Sequence, residues 1–135
     1  MSPTTHQHLE RMLLDALDAI TRHDMGPWAA MFAENGVMEF PFAPAGTPLR
    51  VEGKEALKAY LAAFPEMITL TRIHPATFHH SPQVMVAEFS ADGVATQTGN
   101  AFTQGYISVI EHRDGRITRY RDYWNPLVAQ AALGF

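Results

Sequence analysis

The chain has no cysteine among its 135 residues. A disulfide framework, a thiolate metal site and a cysteine nucleophile are therefore excluded. Basic residues are scarce: two lysines and eight arginines stand against 14 acidic residues, for a net charge of -4. Surfaces that track phosphates cluster basic residues on one face, so nucleic acid is not an expected partner. Long apolar runs are absent too, and none approaches the roughly eighteen residues that a membrane span requires. The opening MSPTTHQHLE lacks the basic segment and apolar core of a secretory signal, which makes the cytoplasm the expected location, with no membrane partner. The sequence contains no glycine-rich phosphate loop, dinucleotide fingerprint or Ser-His-Asp set, so no cofactor is expected. What is present is ordinary for a globular protein, with 47% hydrophobic and 18% charged residues. A chain of this length buries roughly two thirds of its unfolded surface, and residues 1–135 are read as one domain.

Leu9, Met12, Leu13, Ala16, Leu17 and Ile20 recur at helical spacing and predict a first helix from Thr5 to His23. Asp24 is a candidate cap and Pro27 suits a first turn, so GPWAAMFAEN predicts a short second helix that buries Trp28, Met31 and Phe32 and stops at Gly36. A strand is expected from Val37 in VMEFPF, followed by the loop APAGTP. A third helix follows Gly53, with Leu57, Tyr60, Leu61 and Phe64 on one side. Beyond Pro65 come four strand-like runs, MITLTRI, QVMVAEFS, VATQTGNAFTQGYISVIEH and RITRYRDYW, with ADG and RDG expected as hairpin turns between the later ones. Helices first and an antiparallel meander afterwards is the α+β class.

Several stretches carry a family likeness. MFAENGVMEFPF, VEGKEALKAYL and VIEHRDGRITRYRDYWNP, in this order after a first helix, resemble the nuclear transport factor 2-like superfamily, which includes ketosteroid isomerase and the SnoaL-like polyketide cyclases. Within it, the ending GRITRYRDYWNPLVAQAALG and the spacing from MFAENG to VEGKEAL resemble the phenazine biosynthesis A/B proteins. The resemblance covers nearly the whole chain. It implies a cone-shaped, curved antiparallel sheet with three N-terminal helices enclosing a cavity, and a homodimer formed through the outer face of the sheet. Val109, Ile107 and Tyr123 would form an apolar patch on that face.

Strand alternation sorts the candidate site residues. On the last strand Arg119, Arg121 and Tyr123 share one face, while Tyr120, Asp122 and Trp124 share the other. Two arginines mark the solvent side, so Asp122 faces the hollow with two rings beside it. A carboxylate in an apolar cavity has its charged form disfavoured, which moves its pKa upward from about 3.9 toward values useful for proton transfer. On the neighbouring strand Gln104, Tyr106 and Ser108 share a face with Ile110, and would supply neutral donors and acceptors. Trp28, Phe40, Phe42 and Tyr60 would line the helical side. Plainer roles stand beside these: a structural acid paired with an arginine or a backbone donor for Asp122, core packing for Trp124, Tyr120, Trp28 and Phe40, and mutual satisfaction for Gln104 and Ser108.

The seven histidines do not form a metal motif. HQH falls in a terminus expected to fray, His79 and His80 point to opposite faces of a strand, and His74 and His112 are expected at the surface or rim, so no metal is predicted. Departures from the relatives narrow the chemistry. Phe40 stands where ketosteroid isomerase is expected to carry its aspartate base, Ala16 replaces the oxyanion-hole tyrosine, and Ser108 lies near the protonated aspartate. Tyr60 stands closest to a histidine expected on the third helix of the phenazine proteins, and a tyrosine donates hydrogen bonds but is a poor base at neutral pH. The function implied is a cofactor-free isomerase, cyclase, dehydratase or condensation enzyme, or a lyase. Asp122 would be its general acid/base and Tyr60 its partner, and the substrate a small apolar carbonyl or imine metabolite. A non-catalytic small-molecule binder and a dimeric protein-interaction module are the alternatives.

Overall fold

The computed structural model describes residues 3–134. Helix α1 (Pro3–Thr21) buries the predicted stripe, with Leu9, Leu13, Ala16, Leu17 and Ile20 all in the core. Each buried leucine contributes about 1.5–3 kcal/mol relative to an exposed one, so this stripe is what docks the helix on the sheet. The Asp24 carboxylate accepts from the Gly26 amide at 3.1 Å, but the N-cap of α2 (Gly26–Ala30) is Met25, with no side-chain cap.

The second helix is shorter than the sequence suggests. Strand β1 (Phe32–Glu39) begins at Phe32 rather than Val37, although Trp28, Met31 and Phe32 are buried as expected. Gly36 is not a helix stop. It lies at a register shift of β1, where an added Cβ would sit 3.0 Å from the Ala33 and Ile117 carbonyl oxygens. The loop that follows leads to a short strand not foreseen, β2 (Arg50–Glu52), and then to α3 (Lys54–Ala63), which buries Leu57 and Leu61 and leaves Tyr60 half-buried.

A single 3-10 turn (Phe64–Glu66) leads into β3 (Ile68–Ile73), an unforeseen β4 (Thr77–Ser81), β5 (Val84–Ala95), β6 (Ala101–Arg113) and β7 (Arg116–Trp124). The seven strands form one sheet in the order β2-β1-β7-β6-β5-β3, with β4 also on β5. β3 takes the second half of β5 and β4 the first half. Pairing is antiparallel except between β1 and β7, which run parallel and set the N-terminal strand beside the last one. β7 is thus an interior strand, and its side chains are placed by neighbours on both edges.

One expected turn is real and the other is not. At Arg113-Asp114-Gly115 the φ angles of Asp114 (53°) and Gly115 (77°) fit a type I′ turn, and β6 and β7 pair directly across it. The Ala91-Asp92-Gly93 stretch is instead interior to β5, and the chain reverses at Thr96–Asn100. Gly93 serves a close approach, not a turn, since its added Cβ would lie 2.7 Å from the Phe102 ring and 2.9 Å from the Thr69 carbonyl oxygen.

The sheet is followed by a helix the sequence reading omitted, α4 (Pro126–Leu133). Its signals are conventional: the Asn125 side chain accepts from the Leu127 amide at 2.9 Å, Pro126 opens the helix, and Gly134 closes it at φ 82°. Thr98 and Asn100, in the turn between β5 and β6, both donate to the Ala132 carbonyl, at 2.7 and 3.2 Å, and hold the far end of α4 against the sheet.

Candidate active site

Between the concave face of the sheet, α3 and α4 lies a cavity of about 250 Å³. β7 supplies Tyr120, Asp122 and Trp124, β6 supplies Gln104 and Tyr106, α2 and α3 supply Trp28 and Tyr60, and Phe40 follows β1, so eight of the ten candidate residues line it. Ser108 does not. It is fully buried behind the wall, and its hydroxyl is hydrogen-bonded to the Tyr120 hydroxyl at 2.7 Å. Phe42, expected as lining, is 54% exposed and packs edge-on against Tyr123, 5.3 Å away on the outer side.

Asp122 sits opposite Ser108 in the β6–β7 ladder. Burial raises its pKa to about 7. Among the described residues its carboxyl has no hydrogen bond and no ion pair. The structural role of pairing with an arginine is ruled out by where the arginines go: Arg119 donates to Glu39 at 2.6 Å and Arg121 to Glu111 at 2.7 Å, both on the opposite face. A structural acid in an apolar setting is normally satisfied by the protein, and this one is left open to the cavity.

Three phenols surround the acid. Tyr60, Tyr106 and Tyr120 all have raised pKa values, first from burial and then from the charge of Asp122. They are neutral hydroxyls at any physiological pH. Tyr120 is committed to Ser108, whereas among the described residues the hydroxyls of Tyr60 and Tyr106 have no hydrogen bond, which leaves them available as donors. Tyr60 is set by its packing on Phe40 (ring centroids 5.1 Å apart) and Tyr106 by its stacking on Phe89 (5.2 Å). Trp28 tilts against Tyr120 at 5.2 Å, and its buried indole N–H has no partner among the described residues. Gln104 reaches the cavity, but its amide is already used: it donates to the Asn125 carbonyl at 2.9 Å and accepts from the Asn125 amide at 3.0 Å. Its visible role is to fix the junction of β7 and α4 just beyond Trp124. The plainer pairing of Gln104 with Ser108 therefore does not occur, since each has another partner.

The sequence reading missed two parts of the wall. The loop after β1 contributes Ala43, Pro44 and Thr47, and α4 contributes Ala129, Ala132 and Leu133. Phe89 was also missed, although the inward alternation of β5 marks it with Met85, Ala87 and Ala91. The positions resembling the functional groups of ketosteroid isomerase carry none of them: Ala16 is fully buried core and Phe40 is an apolar part of the wall.

The histidines depart from expectation in another place. His112 is buried rather than at the rim, and the HQH stretch is inside α1, with His6 stacked on His80 (centroids 4.1 Å apart, planes 10° apart). His80 pairs with Glu10 at 2.6 Å, and His79 faces the other way toward Glu88 at 2.7 Å. No group of three or more metal-ligating side chains among the described residues is placed to hold an ion. No helix among them is long and apolar enough to cross a membrane.

The model of the SnoaL-like domain family matches residues 13–120. "Uncharacterized protein YesE" of Bacillus subtilis (strain 168) is 49% identical over 113 residues, covering 82% of this chain and 77% of the relative. "Uncharacterized PhzA/B-like protein PA3332" of Pseudomonas aeruginosa is 41% identical over 127 residues, covering 93% of this chain and 89% of the relative. Among solved structures, a "putative isomerase" from Bacillus subtilis superposes with a TM-score of 0.91 at 42% identity, covering 99% of this chain and 96% of that one. The α+β fold is that of the nuclear transport factor 2-like proteins, and the chain belongs to the SnoaL-like domain family.

Proposed function

We propose that this chain is an acid/base enzyme that needs no cofactor and acts on a small, largely apolar carbonyl or imine metabolite, by isomerisation, cyclisation, dehydration or condensation. The observation that carries this is the Asp122 carboxyl, which faces the cavity with no hydrogen bond or ion pair to the described residues. With a pKa of about 7, acid and carboxylate are both populated near neutrality, so the same group gives a proton to a carbonyl oxygen or imine nitrogen and takes one from a neighbouring carbon. Tyr60 and Tyr106 donate hydrogen bonds to the charge that develops on the reacting heteroatom. Trp28, Phe40, Tyr120 and Trp124 hold the apolar body. A protein-interaction module with an incidental hollow is disfavoured by an open, lined cavity of about 250 Å³.

The test is a thermal-shift panel of cyclic ketones, aminoketones, imines and polyketide-like aromatics against wild type and Asp122→Asn, with conversion followed by mass spectrometry. A ligand at about a hundred times its dissociation constant adds roughly 2.7 kcal/mol to stability, which is readily seen in a domain of this size. Conversion by the wild type alone supports the enzyme. Stabilisation of both proteins without product would replace it by a binding protein that uses the same cavity.

The working unit is proposed to be a homodimer formed through the outer sheet face, where Ile107 is 46% exposed beside the half-buried Val109 and Tyr123. Sedimentation of a monomer alone at micromolar concentration would refute it.

A further inference from the structure

We infer that the cavity prefers an organic base, an amine or imine nitrogen on an apolar body, over an isosteric ketone or carboxylate. The inference deepens the acid/base reading and rests on it for the choice of cavity. Its basis is the charge inventory of the walls. Among the described residues Asp122 is the only acid lining the cavity, and no lysine, arginine or histidine lines it. The nearest arginines along the chain, Arg119 and Arg121, are spent on Glu39 and Glu111 on the other face of the sheet. An ionised Asp122 is therefore uncompensated, and the missing countercharge can be supplied by what binds.

The three ligand charge classes fare differently against such a wall. An anion would add a second negative charge to a small apolar space and is rejected. A ketone accepts a hydrogen bond from Tyr60, Tyr106 or the protonated acid but leaves the carboxylate form unpaired. A nitrogen base satisfies both states. When it enters neutral against the protonated acid, the O–H bond of Asp122 breaks, an N–H bond forms, and the electron pair stays on the carboxylate, giving an ion pair with no other reactant. When it enters as a cation, it meets the carboxylate directly.

The remaining surface suits that cation. Trp28, Phe40, Tyr60, Phe89, Tyr106 and Trp124 give the cavity an aromatic lining, and ring faces attract a cation within about 6 Å. Because the phenols stay neutral, none of them adds a competing charge. The volume of about 250 Å³ is below what most drug-sized ligands occupy, so a single-ring skeleton is the proper probe.

Three probes with one skeleton separate the classes: N,N-dimethylcyclohexylamine, acetylcyclohexane and cyclohexanecarboxylate, titrated calorimetrically at pH 6 and pH 8 into wild type and Asp122→Asn. A charge-assisted hydrogen bond favours the amine by roughly tenfold to a hundredfold over the ketone at pH 8, and the carboxylate does not bind. A group of pKa about 7 is ionised to about one tenth at pH 6 and about nine tenths at pH 8, so the affinity of the amine, a cation at both, falls roughly tenfold on acidification while ketone affinity holds or rises as the acid becomes a donor. Asp122→Asn removes the amine preference and leaves the ketone bound. Ketone binding as tight as amine binding at pH 8 would overturn the inference and leave the acid/base reading standing. An amine preference that survives in Asp122→Asn would also overturn it. Failure of both amine and ketone to bind would overturn the two together.

Discussion

Replacing Asp122 by asparagine should make the protein more stable, and more so as the pH rises. The carboxyl titrates near 3.8 when the chain is unfolded and at about 7 in the fold, with burial as the cause. The folded state therefore binds more protons than the unfolded state between these values. With a raised folded pKa, stability is fully present below the unfolded value and is lost as pH rises through the folded one. At 1.36 kcal/mol per unit, the cost of the ionisable group relative to a neutral one is about 0.5 kcal/mol at pH 4 and about 4 kcal/mol at pH 8. Water entering the cavity reduces the upper figure, so an observed gain of about 2–4 kcal/mol at pH 8 is expected of the neutral isostere. Denaturant titrations of both proteins at pH 4, 6 and 8, with unchanged m-values, measure the difference directly. A variant that is less stable than wild type at pH 8, or a difference that does not grow with pH, would show that the carboxylate is satisfied by the protein and would refute the reasoning.

Other perturbations probe the frame around the acid. Gln104→Ala removes both hydrogen bonds to Asn125 and should cost about 1–3 kcal/mol, with faster amide exchange in α4 than in β5 as its signature. Gly93→Ala forces a Cβ toward the Thr69 carbonyl and the Phe102 ring, and a loss of about 1–3 kcal/mol is expected in thermal unfolding. Burial, and then the charges of His80 and His6, lower the pKa of His112 below 6.5. Its stabilising contribution is present above the unfolded value and lost as the pH falls through and below it, and an NMR titration of His112 that gave a midpoint above 6.5 would contradict this packing.

The helical stripe of α1, the aromatic face of α3 and the alternation on β6 and β7 were legible because each follows one period over many residues. That alternation alone puts Asp122, Tyr120, Trp124 and Tyr106 on the cavity wall. The errors come from residues with two physical uses. Gly36 and Gly93 permit close backbone approach inside strands, and from sequence they look like a stop and a turn. Ser108 shares the inward parity of Tyr106, but its short side chain is covered by Tyr120. His112 shares the inward parity of Gln104, Ser108 and Ile110 on β6, so its burial follows from the same alternation carried to the end of the strand. The α4 signals were present in Asn125, Pro126 and Gly134, and were overlooked behind the stronger strand pattern before them. The commitment of the Gln104 amide depends on the path of the chain at Asn125, which only the folded structure fixes.

The central claim is that Asp122 is an unsatisfied acid held ready in an apolar cavity. Carboxyl-labelled aspartate NMR, with the Asp122 signal assigned by its loss in Asp122→Asn, measures this directly. A midpoint of about 7 is predicted. A midpoint near 4 or lower, the ordinary range of an exposed or ion-paired aspartate, would contradict it.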